Sequence, residues 1–230
     1  MHAKLSSLSA VIPVYNDEES LPILTQKLLQ ILPNLAKRYE LIIINDASSD
    51  RTLQVAYAVA TTSPSIYIIN HKRNRGYGGA LLSGFRKARY DYVFYTDGDG
   101  QYDVFELPKL VRLMDKKTEV VSGYKISRSD SLIRTFIGSA YNWFVKLVFR
   151  IRLKDVDCDF RLLRRKTLLR INLSVKSGAF DAAFVKSLQE KGAHIREVGV
   201  HHYPRMFGPS QFFSPRHVLL MGKDILALLG

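Results

Sequence analysis

The stretch that decides the fold of this chain is residues 92–101, Tyr-Val-Phe-Tyr-Thr-Asp-Gly-Asp-Gly-Gln. It begins with Tyr92–Thr96, where continuous rather than alternating apolarity predicts a strand that is covered on both faces. It then changes at once to Asp97 and Asp99, each followed by a glycine. Strands covered on both faces belong to parallel sheets, whose ligands bind beyond the carboxyl ends of the strands. The stretch therefore predicts a functional site at one edge of a parallel sheet.

Apolar runs on either side of this stretch have the same character. They predict four more strands, at Ser9–Tyr15, Leu41–Asn45, Ile66–Asn70 and Val120–Tyr124. Helical periodicity separates the strands, most clearly in Leu21, Leu24, Leu28, Leu32 and Leu35. Pro33 is expected to kink or end that helix. The alternation predicts an α/β fold with a mainly parallel, Rossmann-like sheet flanked by helices.

The regular alternation stops after Tyr124. We predict an amphipathic helix over Ser131–Arg152, a polar cluster over Asp155–Arg165, a helix around Asp181–Glu190, a strand over Ile195–His202, a loop over Pro204–Ser210 and an amphipathic tail over Val218–Leu229. We therefore expect one domain over residues 1–213, followed by an amphipathic interfacial helix over residues 214–230.

Charge and cysteine content limit the classes of protein. The chain has 34 Lys and Arg against 21 Asp and Glu, and this excess of +13 implies an anionic partner: nucleic acid, an acidic membrane face or phosphorylated ligands. The one cysteine, Cys158, excludes an internal disulfide. The sequence has no run of the ~18–20 uncharged apolar residues that a membrane-spanning helix needs. We expect a soluble or peripheral protein.

Asp97 and Asp99 can converge on one hard cation because glycines free the backbone around them. Gln101 can add a carbonyl oxygen, and an all-oxygen set of ligands favours Mg²⁺ or Mn²⁺. Such a cation bridges diphosphate oxygens and takes up charge on a leaving nucleotide. The alternative is an Asx turn between a strand and a helix.

Residues suited to a nucleotide follow the first three strands. Tyr15 can stack on a base, although a turn explains it equally well. Asp46 follows the second strand and can accept a hydrogen bond from a base. The glycine-rich stretch Asn74–Ala80 opens a helix whose N-terminus favours anions.

In this order the motifs resemble glycosyltransferase family 2, the inverting enzymes of the GT-A fold. The likeness runs from Val11 to Phe213 and favours the branch of dolichyl-phosphate mannose synthases and polyprenyl-phosphate glycosyltransferases. It implies transfer of a hexose from a nucleotide-diphosphate sugar, of the GDP-mannose or UDP-glucose type, to polyprenyl or dolichyl phosphate. By the same likeness the metal ligands are Asp97, Asp99 and Gln101, and the nucleotide site comprises Pro13, Tyr15, Asp17, Asp46, Asn74, Gly76 and Asp97.

The second half supports this branch. His201–Arg205 resembles the loop that closes over the donor diphosphate and the acceptor phosphate, and Asp155–Arg161 resembles the acidic segment of the branch. The resemblance implies acceptor-phosphate ligands at Lys125, Arg128, Arg134, Arg161, Arg205 and Ser210, and catalytic residues at Asp99, Asp155, Asp159 and Arg205. A solvated basic face is the alternative for each cation. Asp159 replaces the glycine usual in mannose synthases, which puts the sugar and the acceptor in doubt.

A lipid phosphate would simplify the chemistry, because its second pKa of about 6 leaves it largely ionised at neutral pH. We expect direct attack without a general base, whereas an alcohol acceptor would need one, with Asp157, Asp159 or Asp181 as candidates. The amphipathic segments predict contact with a membrane surface, although packing onto the sheet explains them equally well. The resemblance implies a peripheral protein on the cytoplasmic face of a membrane, and some relatives rely on a membrane-embedded partner subunit.

Three alternatives remain. A nucleotidyltransferase should carry a glycine- and lysine-rich phosphate loop near the first strand, where this chain has Tyr15-Asn16-Asp17. A nucleic-acid-binding module explains the net charge but not Asp97 and Asp99, which repel phosphates unless a metal is bound, so we expect no nucleic-acid partner. The nearest alternative is a member of the same family that acts on a glycan or another alcohol.

Overall fold

A computed structural model of the protein describes residues 4–128, 140, 142–171 and 179–208. Its seven-stranded sheet has the order β3-β2-β1-β4-β6-β5-β7. The strands are β1 (Leu8–Val14), β2 (Tyr39–Asn45), β3 (Ile66–Asn70), β4 (Tyr92–Thr96), β5 (Val120–Arg128), β6 (Phe160–Arg164) and β7 (Ile195–His202). The helices are α1 (Ser20–Leu35), α2 (Thr52–Ala60), α3 (Tyr77–Lys87), α4 (Leu107–Leu113), α5 (142–148), α6 (Arg165–Leu168) and α7 (Phe180–Glu190). The predicted α/β fold is confirmed.

The sheet is parallel except at one strand. β1 pairs in parallel with β2 and β4, β2 with β3, and β5 with β7, whereas β6 lies antiparallel between β4 and β5. The predicted polar cluster over Asp155–Arg165 is therefore wrong for its second half. Phe160, Leu162 and Leu163 are fully buried, and they place β6 inside the sheet.

Leucines on one face of α1 cover one side of the sheet. Leu21, Leu24, Leu28, Leu32 and Leu35 are all buried there. The helix continues past Pro33 and ends at Leu35, so Pro33 does not end it, and the alternative of a kink stays a prediction. Proline removes one helical hydrogen bond, but burial of the last two leucines keeps the final turn in place.

Aromatic side chains pack on the other side of the sheet. Phe180 and Phe184 of α7 are stacked with ring centroids 5.7 Å apart, and both contact Phe85 of α3. Gly84 lets α3 approach the sheet closely, because a Cβ there would lie 2.4 Å from Cγ1 of Val11. Both faces of the central strands are thus covered, as their continuous apolarity predicts.

The predicted helix over Ser131–Arg152 is described only in part. Residues 142–148 are helical, and the chain then turns at Arg150, whose φ is +52°, so the helix ends before Arg152. Residues 131–139, 141 and 209–230 lie outside the described part, and with them the tail over Val218–Leu229 and the predicted domain boundary. Among the described residues, no helix combines the length and the apolar composition needed to cross a membrane.

Candidate active site

The ends of β1, β2 and β4 meet at one edge of the sheet because these strands are parallel neighbours. The N–H of Asp46 donates to the carbonyl of Val14 at 3.0 Å, which places the end of β2 beside the end of β1. On the other side, a Cβ on Gly98 would lie 2.7 Å from the carbonyl oxygen of Pro13, so only glycine fits there. Asp46 and the stretch Asp97–Asp99 therefore flank the end of β1, as predicted.

Asp97 and Asp99 form a repulsive pair. Burial raises the pKa of Asp97 well above its ordinary value, and the neighbouring Asp99 raises it further. Oδ1 of Asp99 accepts from the N–H of Gln101 at 3.0 Å, and Oδ2 accepts from Nη2 of Arg205 at 3.1 Å. A divalent cation between two such carboxylates would remove the repulsion.

The residues present fit Mg²⁺ or Mn²⁺ shared with a diphosphate. Both acids offer oxygen ligands, which these cations prefer. The buried hydroxyl of Tyr77 lies beside Asp97 and Asp159, and its hydrogen bonding partly opposes the rise in pKa of both carboxyl groups. Within the described part of the chain no cluster of three or more His, Cys, Asp or Glu forms a complete metal site. The remaining ligands would therefore come from diphosphate oxygens and water.

Gln101 ties the acidic loop to a distant segment, and its role as a metal ligand through the side-chain oxygen stays a prediction. Its side-chain amide donates to the carbonyl of Tyr203 at 2.8 Å, and its own backbone carbonyl accepts from the N–H of Tyr203 at 2.8 Å. Next to this pair, Glu106 accepts from the N–H of His201 at 2.8 Å. These bonds fix the segment that carries Arg205 against the acidic loop.

Arg205 connects this loop to the end of β1. Its Nη2 lies 3.1 Å from Asp99 and 3.5 Å from Oδ1 of Asp17. Burial raises the pKa of Asp17 to about 6, although the N–H of Tyr15 donates to Oδ2 of Asp17 at 3.0 Å and partly opposes that rise. The structure thus brings together three residues that the sequence assigned to the diphosphate, the metal and the nucleotide.

The predicted nucleotide residues Asp46, Asn74 and Gly76 lie in one hydrogen-bonded loop. The carboxylate of Asp46 accepts from the backbone N–H of Arg75 at 2.9 and 3.1 Å. Asn74 donates to the carbonyl of Asp46 at 3.2 Å and accepts from the N–H of Gly76 at 3.0 Å. Gly76 has a φ of +77°, which favours glycine at the start of α3. Contact of this loop with a nucleotide remains a prediction.

The acids after residue 154 approach the same pocket. Asp155 accepts from the N–H of Lys125 at 3.3 Å, and Nζ of Lys125 donates to the carbonyl of Asp157 at 2.7 Å. Burial would lower the pKa of Lys125, but Asp155 and its acidic neighbours raise it. Burial, together with the charges of Asp181 and Asp97, raises the pKa of Asp159 well above its ordinary value. The predicted catalytic acids Asp155 and Asp159 therefore lie with Lys125 beside the acid pair.

Arg161, predicted to bind the acceptor phosphate, is instead a structural residue. Its side chain is fully buried in the sheet, and its guanidinium donates to Asp181 at 2.5 Å, to Ser122 at 3.0 Å, to Tyr95 and to the carbonyl of Val156. A solvent-borne phosphate cannot reach it. The side chain of Arg128, and all of Arg134 and Ser210, lie outside the described part of the chain.

Asp157 gives the site a predicted dependence of stability on pH. Burial raises the pKa of Asp157 from 3.8 to about 7. The folded state then binds the proton more tightly, so the free energy of unfolding falls as pH rises from about 4 to about 7. We expect Asp157→Asn to abolish this fall in the free energy of unfolding. The melting temperature of the variant should then exceed that of the wild type by more at pH 8 than at pH 4. Parallel melting curves across that range would contradict the prediction.

Comparisons with known proteins agree with the geometry. The model of glycosyl transferase family 2 matches residues 9–171. The undecaprenyl-phosphate 4-deoxy-4-formamido-L-arabinose transferase of Pectobacterium carotovorum is 31% identical over 227 residues, which are 98% of this chain and 68% of that protein. The protein of the same name in Photorhabdus laumondii is 30% identical over 228 residues, 98% of this chain and 69% of its own length.

A solved structure shares the fold. Glucosyl-3-phosphoglycerate synthase from Mycobacterium tuberculosis, in complex with Mn²⁺, UDP and glucosyl-3-phosphoglycerate, has a TM-score of 0.73 at 16% identity, with 97% of this chain and 78% of that chain covered. The family model and the two relatives confirm the resemblance seen in the sequence. This chain belongs to glycosyl transferase family 2.

Proposed function

We propose that the protein is a metal-dependent, inverting glycosyltransferase that moves one sugar from a nucleotide-diphosphate donor to a polyprenyl phosphate. The observation that carries the proposal is the meeting of Asp97, Asp99 and Arg205 beside the loop of Asp46 at one edge of the sheet. The names of the relatives, which specify undecaprenyl phosphate, support the acceptor. Their names also specify a formamido-arabinose, so the nucleotide-sugars to be tested as donors include more than GDP-mannose and UDP-glucose.

The charges at the site suit a diphosphate leaving group. A bound Mg²⁺ or Mn²⁺, held by Asp97 and Asp99, would neutralise charge on the departing diphosphate. Arg205 makes charge-assisted hydrogen bonds, and its planar guanidinium matches the geometry of phosphate oxygens. Its contacts with Asp99 and Asp17 hold it where such oxygens would lie.

The acceptor side needs no proton acceptor. A phosphate monoester is already largely ionised at neutral pH, with a second pKa of about 6, and attacks the anomeric carbon directly. Lys125 supplies positive charge to hold it. Burial and the neighbouring acids raise the pKa of Asp159, which lessens the negative charge that its carboxyl group would present to the phosphate.

A transfer assay tests the proposal. The protein is incubated with labelled nucleotide-sugars, Mn²⁺ or Mg²⁺, and polyprenyl phosphate or a water-soluble glycan. Label in the organic phase that depends on the lipid and the metal is the expected result. Label on the glycan alone would point to an alcohol acceptor, and pyrophosphate formation would point to a nucleotidyltransferase.

Two asparagine variants test the absence of a general base. Asp155→Asn and Asp159→Asn are expected to keep measurable transfer, since asparagine still orients neighbouring groups. Loss of all transfer in both variants, with donor binding intact in calorimetry, would show that a base is required.

The exposed face of α5 supports contact with a membrane surface. Val145 and Phe149 are packed in the core, whereas Trp143 and Leu147 are 67% and 62% exposed. An exposed tryptophan and leucine beside lysines are typical of interfacial helices. We propose that this face docks the protein on the lipid that carries the acceptor.

Vesicle binding tests the docking surface. Trp143→Ser with Leu147→Ser is expected to weaken binding to phosphatidylglycerol vesicles about tenfold, because two apolar contacts with the interface are lost. Tyr57→Ser is the matched control, since Tyr57 is 54% exposed on α2. Equal binding by the double variant and the control would argue against this face.

A further inference from the structure

The imidazole of His71 bridges two elements beneath the nucleotide loop. His71 directly follows β3 and is 5% exposed. Its Nδ1 lies 2.6 Å from Oδ1 of Asp46, and its Nε2 lies 2.9 Å from Oγ of Ser83 on α3. The ring therefore connects the end of β2 to α3. The mechanism proposed above gives it no task.

The surrounding hydrogen bonds place one proton of this ring. An ionised carboxylate can only accept, so Nδ1 donates to Asp46. The hydroxyl of Ser83 lies 2.9 Å from Nε2 and 3.0 Å from the carbonyl oxygen of Gly79, so it can bond to the ring whether or not Nε2 carries a proton. The bridge therefore needs a proton only on Nδ1.

We propose that His71 is a positioning residue for the donor nucleotide. Bonded to Nδ1 of His71, the carboxylate of Asp46 is held in the orientation in which it accepts from the N–H of Arg75. That bond sets the backbone of Asn74–Gly76 at the start of α3. The inference rests on the proposed function, because it takes this loop as part of the nucleotide site.

The burial of the pair gives the bridge its energetic weight. Side chains of His71 and Asp46 are 3% and 5% exposed. Without the ring, the buried carboxylate would keep only the N–H of Arg75 as a donor among the described residues, which is costly for a buried polar group. The carboxylate would then turn towards solvent, and the N–H of Arg75 would lose its fixed acceptor. The loop would lose order while the acid pair at β4 stayed in place.

Donor kinetics of three variants test the proposal. His71→Phe keeps a ring of similar size but removes the N–H donor at Nδ1. We expect it to raise the donor KM and the dissociation constant of the nucleotide diphosphate about 10- to 100-fold, as loss of an outer-shell partner does, with kcat changed much less. His71→Gln keeps one donor for Asp46 and is expected to restore part of the affinity. His194→Phe, before β7 at the opposite edge of the sheet, is the control and should behave as wild type.

Nitrogen NMR of protein with labelled histidine tests the bond from the ring to Asp46 separately. Nδ1 of His71 should show the signature of a protonated nitrogen. A His71 without a proton on Nδ1, or an unchanged donor KM in His71→Phe, would overturn the proposal. If His71→Phe does not fold, the His71→Gln kinetics and the NMR signature decide instead. A wild-type protein that transfers no sugar but shows the protonated Nδ1 would refute the proposed function alone.

Discussion

Replacing Asp97 or Asp99 by asparagine is expected to lower kcat/KM for sugar transfer on the order of 10³-fold, or about 4 kcal/mol of transition-state stabilisation. On the proposed function, each variant would remove one anionic ligand of the cation that would neutralise the leaving diphosphate. Asp97→Asn should also stabilise the fold in the absence of metal. Burial and the neighbouring acid raise the pKa of Asp97, so ionised Asp97 costs folding free energy at neutral pH.

In Asp97→Asn the rate of sugar transfer should therefore fall while the free energy of unfolding without metal rises. These opposite changes distinguish a metal ligand from an acid whose role is structural. The measurements are initial rates with varied Mn²⁺, calorimetry of nucleotide binding with and without Mn²⁺, and thermal unfolding in a chelator. Asp103→Asn is the matched control. Asp103 caps the short 3₁₀ helix Val104–Glu106 by accepting from the N–H of Phe105 at 3.0 Å. Asparagine keeps that acceptor, so the variant should leave both the stability and the rate nearly unchanged. Undiminished turnover in both Asp97→Asn and Asp99→Asn would contradict the proposed metal site.

The strands and their ends could be predicted because they depend on local pattern. Ile66–Asn70, Tyr92–Thr96 and Ile195–His202 have the predicted bounds, since each is a run with strand character between polar segments. Once the strands are parallel neighbours, residues that follow them must lie at one edge. The approach of Asp46 to Asp97 thus follows from sequence pattern and topology together.

The contacts that were missed join residues far apart in the chain. β6 was not predicted because Arg161 interrupts its apolar run. The carboxylate that neutralises the buried charge of Arg161 belongs to Asp181, which is 20 residues away in the chain. The bridge from His71 to Asp46 and Ser83 has no local signal, since a single histidine after a strand is compatible with many roles. The hydrogen bond from Gln101 to Tyr203 joins residues 102 positions apart, and the sequence around Gln101 gives no sign of it. Side-chain pairing over such separations is fixed by packing, which no local pattern encodes.

Replacing Arg161 by methionine should destabilise the protein by about 3–5 kcal/mol, because it leaves the carboxylate of Asp181 buried without its cation. The two side chains are 0% and 6% exposed, and their atoms are 2.5 Å apart. Arg161→Met with Asp181→Leu removes both charges, so it should recover most of the loss. Arg164→Met is the control on the same strand, since Arg164 is only partly buried and donates mainly to backbone carbonyls.

Chemical denaturation of the four proteins measures these differences, and acceptor kinetics distinguish them from the role first predicted for Arg161. If Arg161 bound the acceptor phosphate, Arg161→Met would raise the acceptor KM and leave the free energy of unfolding nearly unchanged. Burial predicts the reverse, a large loss of stability with the acceptor KM of the folded fraction preserved. That result would leave Arg205, whose guanidinium contacts Asp99 and Asp17, among the remaining predicted ligands of the acceptor phosphate, together with Lys125, Arg128, Arg134 and Ser210.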